Sequence, residues 1–396
     1  MKKPQVLLKR CIVISICVLL LFYYVGLNIV WKPNMNLIQQ DKTEQQTHQQ
    51  QAAQMESNEQ NLQFNKKPIQ SWERNEKEET KQTTRTNVII LSQGRGGSSF
   101  LGGIFNCNPQ VMYWFEPLFN VGKLLNVNLF MEKEPFTYKD TCVQLIDSFF
   151  KCDFSDITNA TLSLLSASTF RLHSKALTSG YLCPDEEKSN GCALFSNTLL
   201  SKACKSYKHT VIKILSPRLP NNTIESLQEH FSHQSRYDVK FINLVRDPRA
   251  VVYSWVESNW IKNHLDQGFR VNVHKICDPI EKNVRMGLIS PPPWLRNRFK
   301  VIRYEDLVAN TANIAQELYR FAGFDWSVSV DKWITDHQIQ LSSAVKQNPY
   351  SLYRNASAVM NKWKQEAPGE LITVVEDVCG GLMTIMGYSK WNKADR

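Results

Sequence analysis

The sequence lacks the features of a zinc-binding module or a repeat protein. Its 10 cysteines include no Cys-x-x-Cys pair, the ligand spacing that many structural zinc sites use. It contains no internal repeat. Between Gln39 and Gln63 there is almost no large apolar residue, so this interval cannot bury enough surface to offset the entropy cost of ordering it.

Acidic charge is scarce relative to basic charge. The chain has 37 Asp and Glu residues against 47 Lys and Arg residues, a formal net charge of +10. A summed positive field favours an anionic partner such as a nucleotide, a sulfated glycan or nucleic acid, although a generally basic surface accounts for it equally well. The 396 residues, 42% of them hydrophobic, are enough for one catalytic domain of roughly 300 residues with additional segments.

Formal charge is missing altogether from Cys11 to Trp31, a run of 21 residues. At about 1.5 Å per helical residue such a run spans roughly 30 Å, the thickness of the hydrocarbon core of a bilayer. Four basic residues precede it and only Lys32 follows closely, so the positive-inside bias places the N-terminus in the cytosol. A cleaved signal peptide would need a small-residue cleavage site, and the flank after Trp31 offers none. The sequence predicts a cytosolic tail over residues 1–10 and a single-pass type II signal anchor over residues 11–31.

The segment after the anchor is polar. Residues 32–86 are rich in Gln, Asn, Glu, Lys and Thr, a composition typical of a flexible, disordered stem. Residues 87–396 are then the lumenal domain. Three glycosylation sequons, which begin at Asn159, Asn221 and Asn355, fit lumenal exposure and predict a glycoprotein.

Eight cysteines lie beyond the anchor. In an oxidising lumen we expect some of them to form disulfide bonds, but the pairing cannot be read from the sequence. The close spacing of Cys183, Cys192 and Cys204 indicates a loop insertion that is stapled by at least one bridge.

The lumenal domain begins with Val88–Leu91, a short continuous apolar run typical of a strand that is buried on both faces. Similar runs alternate with helical patterns along the chain, which predicts an α/β fold with a central parallel sheet. The predicted strands are 88–91, 210–215, 239–245 and 299–303, and the predicted helices are 98–106, 138–151, 223–232, 248–258, 306–322 and 366–386.

A glycine-rich turn follows the first strand and leads into a helix. Arg95-Gly96-Gly97-Ser98-Ser99 combines free backbone N–H groups, the positive end of a helix, a guanidinium and two hydroxyls, which together favour a phosphate. A Walker A loop needs Gly-Lys-Ser/Thr, and the lysine is missing. The GxGxxG dinucleotide fingerprint fails because Ser99 stands at its last glycine. A structural glycine turn with a solvated arginine stays as the alternative.

A second candidate element follows the strand over 239–245. Arg246 is followed by Asp247, a good N-cap, and Pro248, a good first helical residue. Ser254 then lies about two turns along the helix. Taken alone, this segment favours a capped structural helix with Arg249 in solvent, and only together with the first loop does it favour a second phosphate element.

These motifs resemble those of the Golgi carbohydrate 6-O-sulfotransferases, which act on galactose, N-acetylglucosamine or N-acetylgalactosamine. The segments that carry the resemblance are Arg95–Leu101, Asn108-Pro109, Phe115–Leu118, Arg246–Ser254, Arg303–Leu307, Tyr353–Asn355 and Trp363-Lys364. The chain departs from the family pattern at Gly96, where serine is usual, and at Lys364, where arginine is frequent.

The resemblance implies a P-loop-like three-layer fold, preceded here by one transmembrane helix and the stem, and a donor, 3′-phosphoadenosine 5′-phosphosulfate (PAPS). It implies that the 5′-phosphosulfate and the 3′-phosphate are held by separate motifs. By this likeness the first group is held by Arg95, Gly96, Gly97, Ser98 and Ser99, the second by Arg246 and Ser254, with further PAPS contacts from Arg354 and Lys364.

Glu116 is the candidate general base. It follows the apolar segment Val111–Phe115, which predicts a position at the end of a strand beside the first loop, and related sulfotransferases place a glutamate base at the same spacing from the loop arginine. A sugar hydroxyl is a weak nucleophile, so a carboxylate or a histidine must take its proton. The alternative role for Glu116 is a structural ion pair with Arg95.

The predicted activity is therefore transfer of a sulfuryl group from PAPS to the 6-hydroxyl of a sugar, without a metal. The expected partner is a glycan acceptor on a glycoprotein or proteoglycan, nucleic acid is not expected, and a homodimer is left open. The expected location is the Golgi membrane. Two alternatives from other classes are a catalytically inactive glycan-binding membrane protein and a nucleotide-dependent oxidoreductase.

Overall fold

The computed structural model describes residues 85–127, 134–183, 192–233, 238–340 and 356–392. The predicted anchor and stem, together with Arg354 and the sequon at Asn355, lie outside these ranges. Within them, no helix is both long and apolar enough to cross a membrane.

A parallel sheet of five strands forms the centre of the described fold. The strands are β1 (Thr86–Ser92), β2 (Val111–Phe115), β3 (His209–Leu215), β4 (Asp238–Val245) and β5 (Phe299–Arg303), in the spatial order β2-β3-β1-β4-β5. Every neighbouring pair is parallel. The predicted α/β class and parallel sheet are confirmed.

Helices connect the strands, as parallel pairing requires. They are α1 (Ser98–Asn106), α2 (Leu118–Leu124), α3 (Phe136–Lys151), α4 (Asn159–Ala167), α5 (Asn197–Lys205), α6 (Gln228–His233), α7 (Pro248–Glu257), α8 (Phe269–Val284), α9 (Tyr304–Ala309), α10 (Thr311–Ala322), α11 (Val328–Gln340), α12 (Ala356–Glu366), α13 (Gly369–Val378) and α14 (Gly380–Met386). Short 3-10 segments lie at Thr169–His173, Lys175–Leu177, Gly180–Leu182, Ser216–Arg218, Pro220–Asn222, Ile224–Leu227 and Pro293–Leu295, and one π-helical turn at Arg285–Ile289.

The sheet is covered on both faces, which explains why its strands are continuous apolar runs. Alternate residues of β1 enter different cores: Val88 and Ile90 pack with α1 and α10, whereas Ile89 and Leu91 pack with α3 and α5. A third apolar cluster joins the end of β4 to α7, α8, α13 and α14. The described fold thus has three layers, helices on either side of one sheet.

Two predicted helices are in fact interrupted by residues that are not in the helical conformation. The predicted helix 306–322 belongs to α9 and α10, which meet at Asn310, where φ is −141° and ψ is 55°. The predicted helix 366–386 covers the end of α12 and the whole of α13 and α14, with Pro368 and Cys379 at the breaks. In both places the apolar spacing continues across a short interruption, so periodicity alone did not reveal it.

The described residues form three disulfides: Cys152–Cys204, Cys183–Cys192 and Cys277–Cys379. The expectation of a stapled loop is confirmed for Cys183 and Cys192. The third cysteine of that sequence cluster, Cys204, instead bonds to the residue after α3.

Candidate active site

The site lies where the parallel strands end. Because all five strands run in one direction, their carboxyl ends share one edge of the sheet, the usual position of ligands in open α/β folds. Gln93 follows β1, Glu116 follows β2 and Arg246 follows β4. Ser216–Arg218 follows β3, and Tyr304 follows β5.

The glycine-rich loop makes a tight turn that ends at the N-cap of α1. Gly97 is that N-cap, with φ of 90°, and a Cβ at this position would lie 2.2 Å from the ring of Tyr304. The backbone of Arg95 is also left-handed, with φ of 62°. A non-glycine residue in this region costs free energy and is often found at functional sites.

Helix α7 holds this loop directly. The Arg95 Nε donates to Ser254 Oγ at 3.0 Å, and the indole Nε1 of Trp255 donates to the Gly94 carbonyl at 2.7 Å. The Arg246 Nη1 donates to the Arg95 carbonyl at 3.0 Å. The loop around Arg95 and the segment Arg246–Ser254, which resemble phosphate-binding motifs, are therefore in direct contact.

Arg246 is largely inside the protein. Its side chain donates a second hydrogen bond, from Nη2 to the Val359 carbonyl at 2.8 Å, and lies 5.0 Å from the ring centre of Tyr304. Its Nε is buried and has no hydrogen-bond partner among the described residues. One donor of this guanidinium is thus unused, and buried donors are rarely left so.

Glu116 is held by two cations at the end of β2. Its Oε1 lies 2.6 Å from Lys213 Nζ, and its Oε2 lies 3.6 Å from Arg218 Nε. The carboxylate is buried and its backbone is left-handed, with φ of 47°. The sequence suggested an ion pair of Glu116 with Arg95 as the alternative role, whereas the observed partners are Lys213 of β3 and Arg218 of the turn after it, neither of which was predicted.

Lys213 connects Glu116 to the donor loop. Its Nζ donates to Ser99 Oγ at 3.3 Å and lies 3.7 Å from the ring centre of Phe115. Strand β3 lies between β2 and β1 in the sheet. Glu116 is therefore not directly beside the loop, which differs from the prediction, and Lys213 contacts both of them. Burial lowers the pKa of Lys213, and the charge of Glu116 opposes that shift. Burial likewise lowers the pKa of Arg218.

A group of aromatic side chains borders this ion pair. The ring of Phe115 stacks on His173 at 4.5 Å and lies 5.2 Å from Phe170. The ring of Phe119 lies 4.8 Å from that of Phe170, and the Arg218 guanidinium lies over the Phe119 ring, 4.5 Å from the ring centre. Half-exposed rings beside a carboxylate form a surface of the kind that small-molecule sites use.

The remaining candidates occupy different positions. Lys364 is exposed on α12, while its neighbour Trp363 is buried beneath the Arg249 guanidinium at 4.4 Å. Arg249 is buried and pairs with Asp247 at 2.8 Å and with Glu376 at 2.6 Å. This arginine ties α7 to α13 and is structural, and Lys364 has no observed contact with the loop around Arg95.

Comparison with known proteins identifies the fold family. The family model described as "Sulfotransferase domain" matches residues 85–387, which includes every strand and the whole described site. The chain belongs to the sulfotransferase family.

Individual sulfotransferases give the same result. Carbohydrate sulfotransferase 3 of Tetronarce californica is 32% identical over 77% of this chain and 73% of its own length. Carbohydrate sulfotransferase 1 of Danio rerio is 28% identical over 78% of this chain and 80% of its own. The family resemblance drawn from the motifs is confirmed at the level of the carbohydrate sulfotransferases.

Solved sulfotransferase structures also align, although weakly. The sulfotransferase domain from the curacin biosynthetic pathway gives a TM-score of 0.43 at 17% identity, over 77% of this chain and 98% of that one. Mouse sulfotransferase SULT7A1 complexed with PAP gives 0.37 at 10% identity, over 77% and 84%.

Proposed function

We propose that this sulfotransferase moves a sulfuryl group from PAPS to the 6-hydroxyl of a hexose or N-acetylhexosamine in a glycan. The observation that carries the proposal is the junction of the two motifs, through the hydrogen bonds of Arg95 with Ser254 and of Arg246 with the Arg95 carbonyl. PAPS has phosphate at both the 3′ and the 5′ positions of one adenosine, so its binding site needs two groups of anion-binding residues close to each other.

The donor site uses groups of different kinds. In the proposed complex the 5′-phosphosulfate meets the backbone N–H groups of the loop at the N-terminus of α1, with Arg95, Gly96, Gly97, Ser98 and Ser99. The 3′-phosphate meets Ser254 and the Nε of Arg246, the buried donor that has no partner among the described residues. Lys364 and Arg354 are the further contacts that the family resemblance suggests.

Glu116 is the proposed general base. The acceptor hydroxyl loses its proton to the carboxylate as its oxygen bonds to sulfur, and the bond from sulfur to the 5′-phosphate breaks, so that 3′-phosphoadenosine 5′-phosphate (PAP) leaves with the electron pair. The position of Glu116 at the end of β2, at the same edge of the sheet as the loop, supports this role. The described chemistry requires no metal.

The cellular setting is also proposed. The charge-free segment over residues 11–31 and the sequons at Asn159 and Asn221, both of which are exposed, favour a type II Golgi glycoprotein whose sulfotransferase domain is lumenal. The named carbohydrate sulfotransferases among its relatives favour a glycan as the acceptor.

A sulfate transfer assay tests the proposal. The full-length protein, solubilised from membranes, is incubated with radiolabelled PAPS and a panel of glycans that end in galactose, N-acetylglucosamine or N-acetylgalactosamine, and mass spectrometry locates the sulfate in each product. We expect a product sulfated at a 6-hydroxyl. Sulfation only at another position would reject the 6-O assignment. Glycan binding without transfer would favour the inactive binding protein, and a thermal shift with NAD but not with PAP would favour the oxidoreductase.

A further inference from the structure

A lysine occupies the centre of the sheet edge, in the middle of an apolar strand. Lys213 lies between Ile212 and Ile214 on β3, and its side chain is only 2% exposed. Burial of a cation costs several kcal/mol, and a buried ion pair is often no more stabilising than well-packed apolar side chains. A requirement for stability alone therefore does not explain a lysine at this position.

The contacts of Lys213 are with residues of the proposed reaction. Its Nζ lies 2.6 Å from Glu116 Oε1 and 3.3 Å from Ser99 Oγ, and its carbonyl accepts the Glu116 N–H at 3.0 Å. The same residue thus fixes the backbone and the carboxylate of Glu116, whose left-handed backbone, with φ of 47°, needs such support.

We propose that Lys213 is a positioning residue of the sulfotransferase, which holds the Glu116 base and Ser99 of the donor loop in one fixed arrangement. This inference rests on the proposed function and adds a residue to it. Because Oε1 of Glu116 is occupied by the ammonium, Oε2 receives the acceptor proton. The acceptor O–S bond forms, the S–O bond to the 5′-phosphate breaks, and PAP leaves with the electron pair.

Charge balance gives the ammonium a second effect. Before transfer, Lys213 and Glu116 together carry no net charge. When the carboxylate has taken the proton, the pair carries one positive charge, at the moment when negative charge develops on the departing phosphate. The ammonium is already in place before the reaction, and its charge is no longer neutralised once the carboxylate has taken the proton. It can then stabilise the developing negative charge without reorganisation of the site.

Other ionisable groups also act on the carboxylate and set the background for a test. Arg218 approaches Oε2 at 3.6 Å from the turn after β3. Tyr113, on β2, is buried, which raises the pKa of its hydroxyl, and the charge of Glu116 raises it further. Neither group contacts Ser99 in the described structure, so only Lys213 is positioned to couple the base to the donor loop.

The test compares Lys213→Arg, Lys213→Gln and Lys213→Met in the full-length enzyme, with Lys240→Met as the control. Lys240 is also a strand lysine that pairs with a carboxylate, Asp238 at 3.4 Å, but it lies near the start of β4. Sulfate transfer is measured from pH 5 to 9 with saturating PAPS, alongside PAP affinity by titration calorimetry and thermal unfolding.

We expect the Arg variant to keep the pH profile of the wild type and to have a turnover within tenfold of the wild-type value. The Gln variant keeps a hydrogen-bond donor but loses the charge, so its turnover falls at least about 100-fold and the acid limb of the profile moves up by about 1 to 3 pH units. We expect the control to resemble the wild type. If the Met variant does not fold, the comparison of Arg with Gln decides the result.

The proposal is overturned if the Gln variant folds and keeps the wild-type pH profile, or if it loses turnover only in proportion to PAP affinity. In either case Lys213 would be a structural residue. Failure of the proposed function looks different, because the wild-type enzyme would then transfer no sulfate to any glycan in the panel.

Discussion

The guanidinium of Arg95 and the hydroxyl of Ser254, 159 residues apart in the chain, are joined by a hydrogen bond of 3.0 Å. The first residue belongs to the loop after β1 and the second to α7, after β4. These strands are neighbours in the sheet, so their following segments meet at the same edge. The donor site that we propose depends on this contact.

A double-mutant cycle on this pair tests whether the two elements form one binding site. We expect Arg95→Ala and Ser254→Ala each to raise the Kd for PAP about tenfold, or about 1.4 kcal/mol. The double variant should raise it less than 100-fold, because both changes remove the same hydrogen bond. Titration calorimetry measures all four proteins. Arg320→Ala, on the exposed side of α10, is the control, and strictly multiplicative losses would contradict a shared site.

Gly96 is one of the two positions where the chain departs from the family pattern that its motifs resemble, and the structure leaves little room for a side chain there. A Cβ at Gly96 would lie 2.4 Å from Ser92 Oγ and 2.9 Å from the Gln93 carbonyl. The second of these is a backbone atom and cannot rotate away. We expect Gly96→Ser to displace the loop, which lowers the melting temperature and weakens PAP binding at least tenfold.

The control for this change is Gly369→Ser, because a Cβ at Gly369 meets no atom within 4 Å. Differential scanning fluorimetry with and without PAP compares both variants. Unchanged PAP binding in Gly96→Ser would show that the loop adjusts freely.

Two adjacent residues of α13 form ion pairs that differ in burial, so their variants compare a buried ion pair with an exposed one. Glu376 pairs with the buried Arg249 and also accepts the Trp391 N–H at 2.7 Å, whereas Asp377 pairs with Arg270 at a site where both side chains are about 60% exposed. We expect Glu376→Gln to lower the free energy of unfolding by on the order of 3 kcal/mol and Asp377→Asn by at most about 1 kcal/mol. Urea denaturation distinguishes them, and equal effects would contradict this view of Arg249.

His209 predicts a pH dependence of stability. The ring is buried against Phe324 at 4.0 Å, and burial lowers the pKa of His209 from 6.5 to about 4. Between these values the unfolded chain binds a proton that the folded protein does not, so stability falls as the pH is lowered from about 6.5 to about 4. The loss is on the order of 3 kcal/mol at the lower limit.

The variant His209→Phe removes the ring that binds this proton and keeps an aromatic ring against Phe324. Its unfolding free energy, measured by urea denaturation at several pH values, should fall less steeply over this interval than that of the wild type. Identical slopes would mean that other groups, such as the carboxylates, account for the whole acid dependence.

Local signals in the sequence predicted the elements that bear the motifs. The run Val88–Leu91 lies within β1, the predicted helix 98–106 coincides with α1, and Asp247 is the N-cap of α7, where its side chain accepts from the Arg249 N–H. These features depend on apolar spacing and capping, which are properties of neighbouring residues.

Features that depend on distant residues were less accessible. The spatial order of the strands places β3 between β1 and β2, and no local pattern encodes that order. The structural role of Arg249 requires Glu376, and the bridge from Cys152 to Cys204 spans 52 residues. Lys213 did carry a signal, because a lysine within an otherwise apolar buried strand needs a partner, but its partner at the end of β2 became visible only in three dimensions.

The most direct test of the proposed reaction separates donor binding from chemistry at Glu116. In the variant Glu116→Gln, PAP affinity is measured by titration calorimetry and sulfate transfer by single-turnover reaction with radiolabelled PAPS and an accepted glycan. We predict a Kd for PAP within about threefold of the wild type and a transfer rate at least about 100-fold lower, the scale of general base catalysis. A transfer rate equal to that of the wild type would contradict the assignment of Glu116 as the base.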